Sequence, residues 1–277
     1  MSTIQLNNMK AVKLILNNPE ESIQYVWKYL DLHRFIYLLT EEKLFFTRLD
    51  KFEDPIEGVP TKLLRRNNKY SNIPLEVSDF VDTTPISERE KLINEKKLND
   101  YLLKSETEEN QQRQYVNCWF AGNRESMAMW NIYSNPDSVA IKANFTILKE
   151  GLTTSLQKFI LKHGRRLSII GDKITYLPLN PFDTNLEKQH INFSGLKKDE
   201  SFGYENEYRF LISTIKNLDR KEPFYAVPVD INSLGLTIVT HPSMEEWKFK
   251  NIKNLIALTN KSITLEKSPI ILRNTKI

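Results

Sequence analysis

An α+β fold, with a central mostly antiparallel sheet flanked by helices and a charged helical insertion, is the class this sequence predicts. Three observations predict it. Helical periodicity gathers early in the chain, short β-branched and aromatic runs recur late, and the two do not alternate with the regular spacing of a doubly wound parallel sheet. At 277 residues, 40% hydrophobic and 27% charged, the chain is expected to form one domain over 1–277 with a sizeable core, carrying 61–114 as the insertion.

The elements follow in order. Residues 1–20 are polar with scattered Leu and Ile, an edge strand or a loose arm. Glu21–Leu30 carries Ile23, Val26, Trp27 and Leu30 at helical spacing, while its aromatic part, Tyr25–Leu30, also suits a strand. Leu32–Leu39 reads as helix running into Glu41-Glu42, and Leu44–Thr47 as a short strand. Arg48–Gly58 is a turn built on Asp54-Pro55 and closed by Gly58. Thr61–Gln114 is highly charged and poor in apolar residues. A long exposed helix is expected to begin near Ser87, with Glu90 three residues on completing a capping box.

Val116–Phe145 forms the centre of the chain. It reads as a buried strand, a turn at Gly122-Asn123, a short helix over Glu125–Tyr133 and a second strand over Ser138–Phe145. A unit this rich in Trp and Met is first of all core. Ile147–Ile160 is an amphipathic helix with Leu148, Leu152, Leu156, Phe159 and Ile160 on one face. Strand-like segments over Ile169–Leu177 lead to a polar loop with one turn of helix over Asn180–Lys198. Strands over Tyr204–Ser213, Phe224–Pro228 and Leu234–Thr240 come next. A helix from His241 through Ala257 and short strands at Thr264–Glu266 and Ile270–Leu272 close the chain.

Composition narrows the function classes. A net charge of +4, from 39 basic and 35 acidic residues, permits a nucleotide or nucleic-acid partner without arguing for one. One cysteine rules out an intramolecular disulfide and fits a reducing compartment. The N-terminus lacks the apolar stretch of a secretory signal, and no run of apolar residues is long enough to span a bilayer. The cytoplasm is the expected address, with no membrane partner. Four dispersed histidines and one cysteine offer no local metal cluster, and no Gly-rich phosphate loop, Gly-x-Ser-x-Gly elbow or His-Glu-x-x-His occurs.

Three constellations carry possible chemistry. Glu53, Asp54 and Glu57 stand within five residues of one turn, where Pro55 holds Asp54 out of helical geometry. Such a carboxylate serves a cation or a substrate hydroxyl, or bonds its own backbone as a turn device. Glu205-x-Glu207-x-Arg209 is the second. If the strand begins by Glu205, the period of two puts all three side chains on one face. Two crowded carboxylates raise one pKa unless a cation intervenes, and Arg209 is that cation or a bidentate ligand for carboxylate or phosphate. Plain salt bridging explains the same residues without chemistry. The third is Asn123-Arg124-Glu125-Ser126 at the start of the central helix, an anion site with Arg124 as phosphate clamp, or an ordinary N-cap. Cys118 reads as an inert buried thiol, and Trp130 with its neighbours as packing. Lys158, Lys162, Arg165 and Arg166 suit a helix C-terminus. Joined to Lys62, Arg65, Arg66 and Lys69, they are also candidates for binding nucleic acid.

The ordered set Leu44-Phe45-Phe46, Phe52-x-Asp54-Pro55-x-Glu57-Gly58, Cys118-Trp119-Phe120, Met129-Trp130-x-x-Tyr133, Val139-Ala140-Ile141 and Tyr204-Glu205-x-Glu207-Tyr208-Arg209 resembles a bacterial family, domain of unknown function 2971. The resemblance covers Tyr25 to Leu258 and departs from the family pattern at Glu53, Ala121 and Phe202-Gly203. It implies a role in antiphage or stress defence, with a partner protein from the same locus. The layout of Lys28-Tyr29, a helix, Leu44–Thr47 and a late Glu205-x-Glu207 is also similar to that of ADP-ribosyltransferases. That likeness implies NAD as cofactor, Glu207 as the catalytic carboxylate and Glu205 orienting the acceptor. Lys28, Arg34 or Arg124 would hold the pyrophosphate. Asp54 is a further catalytic candidate, and Arg209, Glu57, Tyr133 and Trp130 are further ligand-binding ones. The competing expectation is a non-catalytic component of a defence system that binds nucleic acid or protein.

Overall fold

A computed structural model describes residues 13–54, 57–60, 63, 73–74, 76, 85–163, 167–177, 194–214 and 222–272. The expectations for Lys62, Arg65, Arg66, Lys69, Arg165 and Arg166, and for the loop over 180–193, lie outside them.

The chain begins with strands β1 (Lys13–Leu16) and β2 (Tyr25–Leu30). Glu21–Leu30 suited either helix or strand, and pairing decides: six consecutive residues of β2 lie in register with a neighbouring strand, so β-branched and aromatic side chains pack on both sheet faces. Helix α1 (Leu32–Glu41) follows at once. Asp31 caps it, its carboxylate accepting the Arg34 N–H at 2.8 Å, and Glu42 ends it in the left-handed region at φ 50°. Strand β3 (Lys43–Arg48) leads through one turn of 3-10 helix, Leu49–Lys51, into the turn before Gly58. Gly58 has φ +77°, and a Cβ there would stand 2.5 Å from the Leu49 side chain, so only glycine fits.

Helix α2 (Ile86–Gln112) is the charged insertion, with only Ile93, Asn99 and Gln111 buried. It starts at Ile86 behind Pro85 with no side-chain cap, so the capping box expected at Ser87 does not form. Strand β4 (Gln114–Ala121), helix α3 (Met127–Tyr133) and strand β5 (Val139–Asn144) make up the central unit. Helix α4 (Phe145–His163) then leads to β6 (Leu167–Lys173) and β7 (Thr175–Leu177). After β8 (Lys197–Asp199) come β9 (Glu207–Thr214), β10 (Phe224–Pro228) and β11 (Leu236–Thr240). Helix α5 (Glu246–Thr259) and β12 (Thr264–Lys267) complete the described elements. Two expectations are corrected here: α5 begins at Glu246, beyond the turn at His241–Met244, and Ile270–Leu272 is not a strand.

The fold is α+β. The main sheet runs β1-β6-β9-β4-β2-β5-β11-β12, with β3 also beside β4 and β10 beyond β3. Only its edge pairings, β1–β6 and β11–β12, are parallel. One face carries the main core, where Trp119, Ile141, Tyr208 and Phe210 meet Phe35 of α1, Leu152 of α4 and Ile252 of α5. On the other face Trp27, Tyr29 and Val239 pack under Met129 and Trp130 of α3, and Val116 and Leu211 pack under Leu49.

One irregularity matters for function. β4 gives one edge wholly to β9 but shares the other between two strands. β3 pairs at Val116 and Tyr115, and β2 at Ala121 and Phe120. The sheet therefore divides over 117–119, and polar side chains bridge the gap. Asn117 Nδ2 donates to the Phe45 carbonyl at 2.7 Å, and Lys28 Nζ donates to the Cys118 carbonyl at 2.9 Å. Among the described residues, no helix is long and apolar enough to cross a membrane.

Candidate functional site

Strand β9 supplies the centre of the site. Its alternation sends Tyr208 and Phe210 into the main core and Glu207 and Arg209 to the opposite face, beside Phe120 and Cys118 of β4. Glu205 does not share that strand. It ends a 3-10 helix, Glu200–Glu205, and Asn206 at φ 37° turns the chain before β9 begins. The single face expected for Glu205, Glu207 and Arg209 is thus corrected: Glu207 and Arg209 share a strand face, and Glu205 arrives from the preceding turn. Asn206 fixes that turn to β4, accepting the Ala121 N–H at 2.8 Å through its carbonyl and donating its amide to the Ala121 carbonyl.

Arg209 is fully buried and organises what surrounds it. Nε and Nη2 donate to the two oxygens of Glu207 at 2.7 and 2.9 Å, and Nη1 donates to the Gly195 carbonyl at 2.8 Å. Nη2 also forms a close ion pair with Glu57 Oε1. The Phe52 ring lies 5.7 Å from the guanidinium. Lys198 serves the remaining carboxylates, standing 2.7 Å from Glu205 Oε2 and 3.8 Å from Glu57 Oε2. Tyr133, about half exposed at the end of α3, donates its hydroxyl to Glu205 Oε1 at 2.5 Å.

Neutral groups hold this arrangement in place. Gln111 of α2 donates to the Glu57 carbonyl at 2.8 Å. Gln114 donates to Ser194 Oγ and accepts from the Gly195 N–H, both at 2.9 Å, which turns the Gly195 carbonyl toward Arg209. Tyr176 accepts the Glu207 N–H at 2.8 Å.

Glu57, Glu205 and Glu207 against Arg209 and Lys198 give three carboxylates for two cations, a formal excess of one negative charge when all three are ionised, in a site almost without solvent. Burial pushes the Glu57 carboxyl above its ordinary value despite the pull of Arg209 and Lys198. Burial acts on Glu207 in the same direction, but the charge and hydrogen bonds of Arg209 prevail and hold it below the ordinary value. Arg209 is raised well above its usual value against burial, first by Glu207 and then by Glu57. Lys198 is likewise raised by Glu57 and Glu205 against burial. The half-buried Cys118 thiol lies beside Glu207, and burial pushes its pKa well up. Tyr133 is also raised, by burial and then by its bond to Glu205.

The other residues singled out from sequence divide into several groups. Glu57 and Tyr133 join Glu205, Glu207 and Arg209. Lys28 lies in the sheet division on the other side of β4, half-buried, its ammonium depressed by burial and 5.6 Å from the Trp119 ring centroid. Asp54 closes the turn with its carbonyl, which accepts the Glu57 N–H at 3.2 Å. Arg34 is exposed and paired with Asp31 at 3.4 Å, and Arg124 is exposed in the turn before α3. Asn123 ties that turn to β2's approach, accepting from Gln24 N–H at 2.8 Å and donating to the Ser22 carbonyl at 2.6 Å. Ser126 caps α3. Trp130 is core, its indole donating to Glu125 at 2.6 Å and its ring edge-on to Tyr29 and His241. Lys158 and Lys162 stand one turn apart on the exposed side of α4. Sequence reasoning missed Lys198, Gln114, Gly195 and Tyr176. Gln114 and Tyr176 come from other strands, and Lys198 and Gly195 join from the segment before β9, where no strand or helix period links them to Glu205 or Arg209.

No protein-family model matches the chain and no curated protein does, so the expected likeness to domain of unknown function 2971 finds no support there. Among solved structures, the chain is similar to "Thermus sp. 2.9 DarT in complex with ADP-ribosylated ssDNA", at 9% identity and a TM-score of 0.32, over 92% of this chain and 98% of that one. A likeness at that TM-score decides neither fold nor chemistry.

Proposed function

We propose that this chain is an enzyme of the ADP-ribosyltransferase type, which takes NAD and passes its ADP-ribosyl group to a nucleotide or nucleic acid as part of a bacterial defence function. The observation that carries this reading is the excess carboxylate of the Glu57–Glu205–Glu207–Arg209–Lys198 cluster. As the glycosidic bond of NAD breaks, nicotinamide leaves with the bonding electrons and positive charge grows on the ribose. A carboxylate already fixed beside that carbon lowers the barrier, because nothing has to reorient as the charge appears. In this account Glu207, held by Arg209, supplies the fixed charge. Glu205, next to the half-exposed Tyr133, takes the proton the acceptor loses as its new bond to the ribose forms. Lys28 of β2 and Arg34 of α1 lie toward the main-core face of the sheet, opposite Glu207, and take no part in this account.

The test is label transfer. The purified chain is incubated with NAD labelled on its adenylate phosphate, together with nucleic acid and a cell extract. The account expects labelled acceptor to accumulate with free nicotinamide. A chain that neither binds nor consumes NAD withdraws the assignment. A non-catalytic nucleic-acid binder is the second reading, favoured by Lys158 and Lys162, which form no ion pair among the described residues.

A further inference from the structure

On the sheet face opposite the charge cluster, α1 and α5 both pack into the main core, and a cavity of about 320 Å³ opens between them. Leu32 of α1, Ile252 and Leu255 of α5, and Met244 just before α5 give it apolar walls. Three features distinguish it from a packing defect. The first is Trp247, which is 58% exposed, whereas Trp27, Trp119 and Trp130 are all buried. An indole left open beside an apolar cavity gains by being covered. The second is Asn251, also in the lining and four residues after Trp247, so that the amide and the indole are neighbours on one face of α5. Asn251 is exposed, and its side chain has no hydrogen-bond partner among the described residues, which leaves one acceptor and two donors open. The third is charge. The lining holds one cation and one carboxylate, and they are already paired, with Lys248 Nζ 2.6 Å from Asp137 Oδ1. The same ammonium lies 5.3 Å from the Trp247 ring centroid, so neither sign of charge is left over for a ligand.

Apolar walls, an open indole, a neighbouring free amide and a self-neutralised ion pair fit one class of ligand. We propose that the α1–α5 cavity binds a small uncharged aromatic carboxamide, its ring packed against Trp247 and its amide paired with Asn251. The ring enters the space between Leu32, Met244 and Leu255. The spacing of Trp247 and Asn251 along α5 then brings the ring's substituent to the Asn251 amide, where each amide donates one hydrogen bond and accepts one. A charged head in the same place would give up water without gaining a free counter-ion.

Benzamide, acetophenone, benzoate and benzamidinium share one ring and nearly one shape but differ in hydrogen bonding and charge. Titrating each into the full chain therefore separates shape from polar recognition. The readout is the set of four indole N–H resonances, which also reports where a probe sits. The proposal expects benzamide to shift the Trp247 resonance and leave the three buried indoles in place. It expects benzamide to bind about fivefold tighter than acetophenone, which accepts a hydrogen bond but donates none, and the two charged probes to bind weaker than either. Asn251→Ala, at an exposed position, should bring benzamide down to the affinity of acetophenone. Trp247→Ala, also exposed, should abolish the binding of benzamide and acetophenone, followed in that variant by ligand-observed NMR. No shift of Trp247 by benzamide, a charged probe binding as tightly as benzamide, or benzamide affinity unchanged in either variant would each overturn it.

Discussion

Arg209 grips Glu207 two residues away on the same strand, with Nε 2.7 Å from Oε1 and Nη2 2.9 Å from Oε2, and neither residue reaches solvent to any useful extent. A pair like this does not repeat its Coulomb energy as stability, because both charges lost their water on folding. Breaking it is costly for the same reason. Arg209→Lys keeps the charge but loses the planar fork that meets Glu207, Glu57 and the Gly195 carbonyl together. Denaturant unfolding should show a loss of about 3–5 kcal/mol. A loss within experimental error of zero would mean that the fork contributes nothing to the fold.

Gly195 is the neutral partner in that grip. A Cβ there would stand 2.7 Å from a Leu211 methyl, 2.8 Å from a Leu49 methyl and 2.9 Å from Gln114 Oε1. Gly195→Ala therefore overpacks the cluster's floor and pushes the 194–196 turn away from Arg209. The expected cost is about 1–3 kcal/mol, read by the same unfolding measurement. A variant as stable as the parent would show that the turn can move freely, and the cluster would be less rigid than described.

His241 gives the protein an acid-side liability. The ring is buried edge-on to Trp130 and accepts the Ser243 N–H at Nδ1, 3.0 Å away, and burial lowers its pKa below the ordinary imidazole value. A group whose folded pKa is depressed contributes stability above its unfolded pKa of about 6.5 and loses it as pH falls through the folded value. The melting temperature should therefore drop as pH falls from about 7 to 5. His241→Asn, which keeps an acceptor for Ser243 but does not titrate, should flatten that part of the curve. An unchanged slope in the variant would assign the acid sensitivity to other groups.

Much of the fold was legible in the sequence because its strands carry local signals. β4, β5, β9 and β10 are aromatic or β-branched runs bounded by turn residues, and α1 and α4 show clean apolar spacing. The errors came where tertiary contacts outweigh local chemistry. Ser87 and Glu90 suit a capping box, yet the helix already begins at Ile86. Glu205 suits the first position of an alternating strand, yet Asn206 in the left-handed region breaks the alternation. The site was half legible for the same reason. Glu-x-Glu-x-Arg announces itself, whereas Glu57 meets Arg209 from a turn about 150 residues earlier and Lys198 comes from a separate strand.

The exposed face of α4 tests the nucleic-acid part of the account by itself. Lys158 and Lys162 lie one helical turn apart, so both reach one phosphate backbone. The chain is expected to bind single- or double-stranded nucleic acid at about 50 mM salt and to lose affinity steeply as salt rises. Changing both lysines to alanine should reduce the slope of log K against log salt by about 2. Binding with an unchanged slope would move the contact elsewhere, and no binding at low salt would remove it.

The central claim is that the excess charge of the buried cluster serves NAD cleavage, and nicotinamide release measures it directly. Glu205→Gln removes that one excess charge and keeps one acceptor oxygen where the native carboxylate offers two, one to Tyr133 and one to Lys198. Wild-type protein should release nicotinamide from NAD. Glu205→Gln should slow release on the order of a hundredfold, the usual loss for one preorganised electrostatic group, measured at a temperature where both proteins remain folded. Wild-type protein that leaves NAD intact, or a Glu205→Gln variant that releases nicotinamide at the wild-type rate, would contradict it.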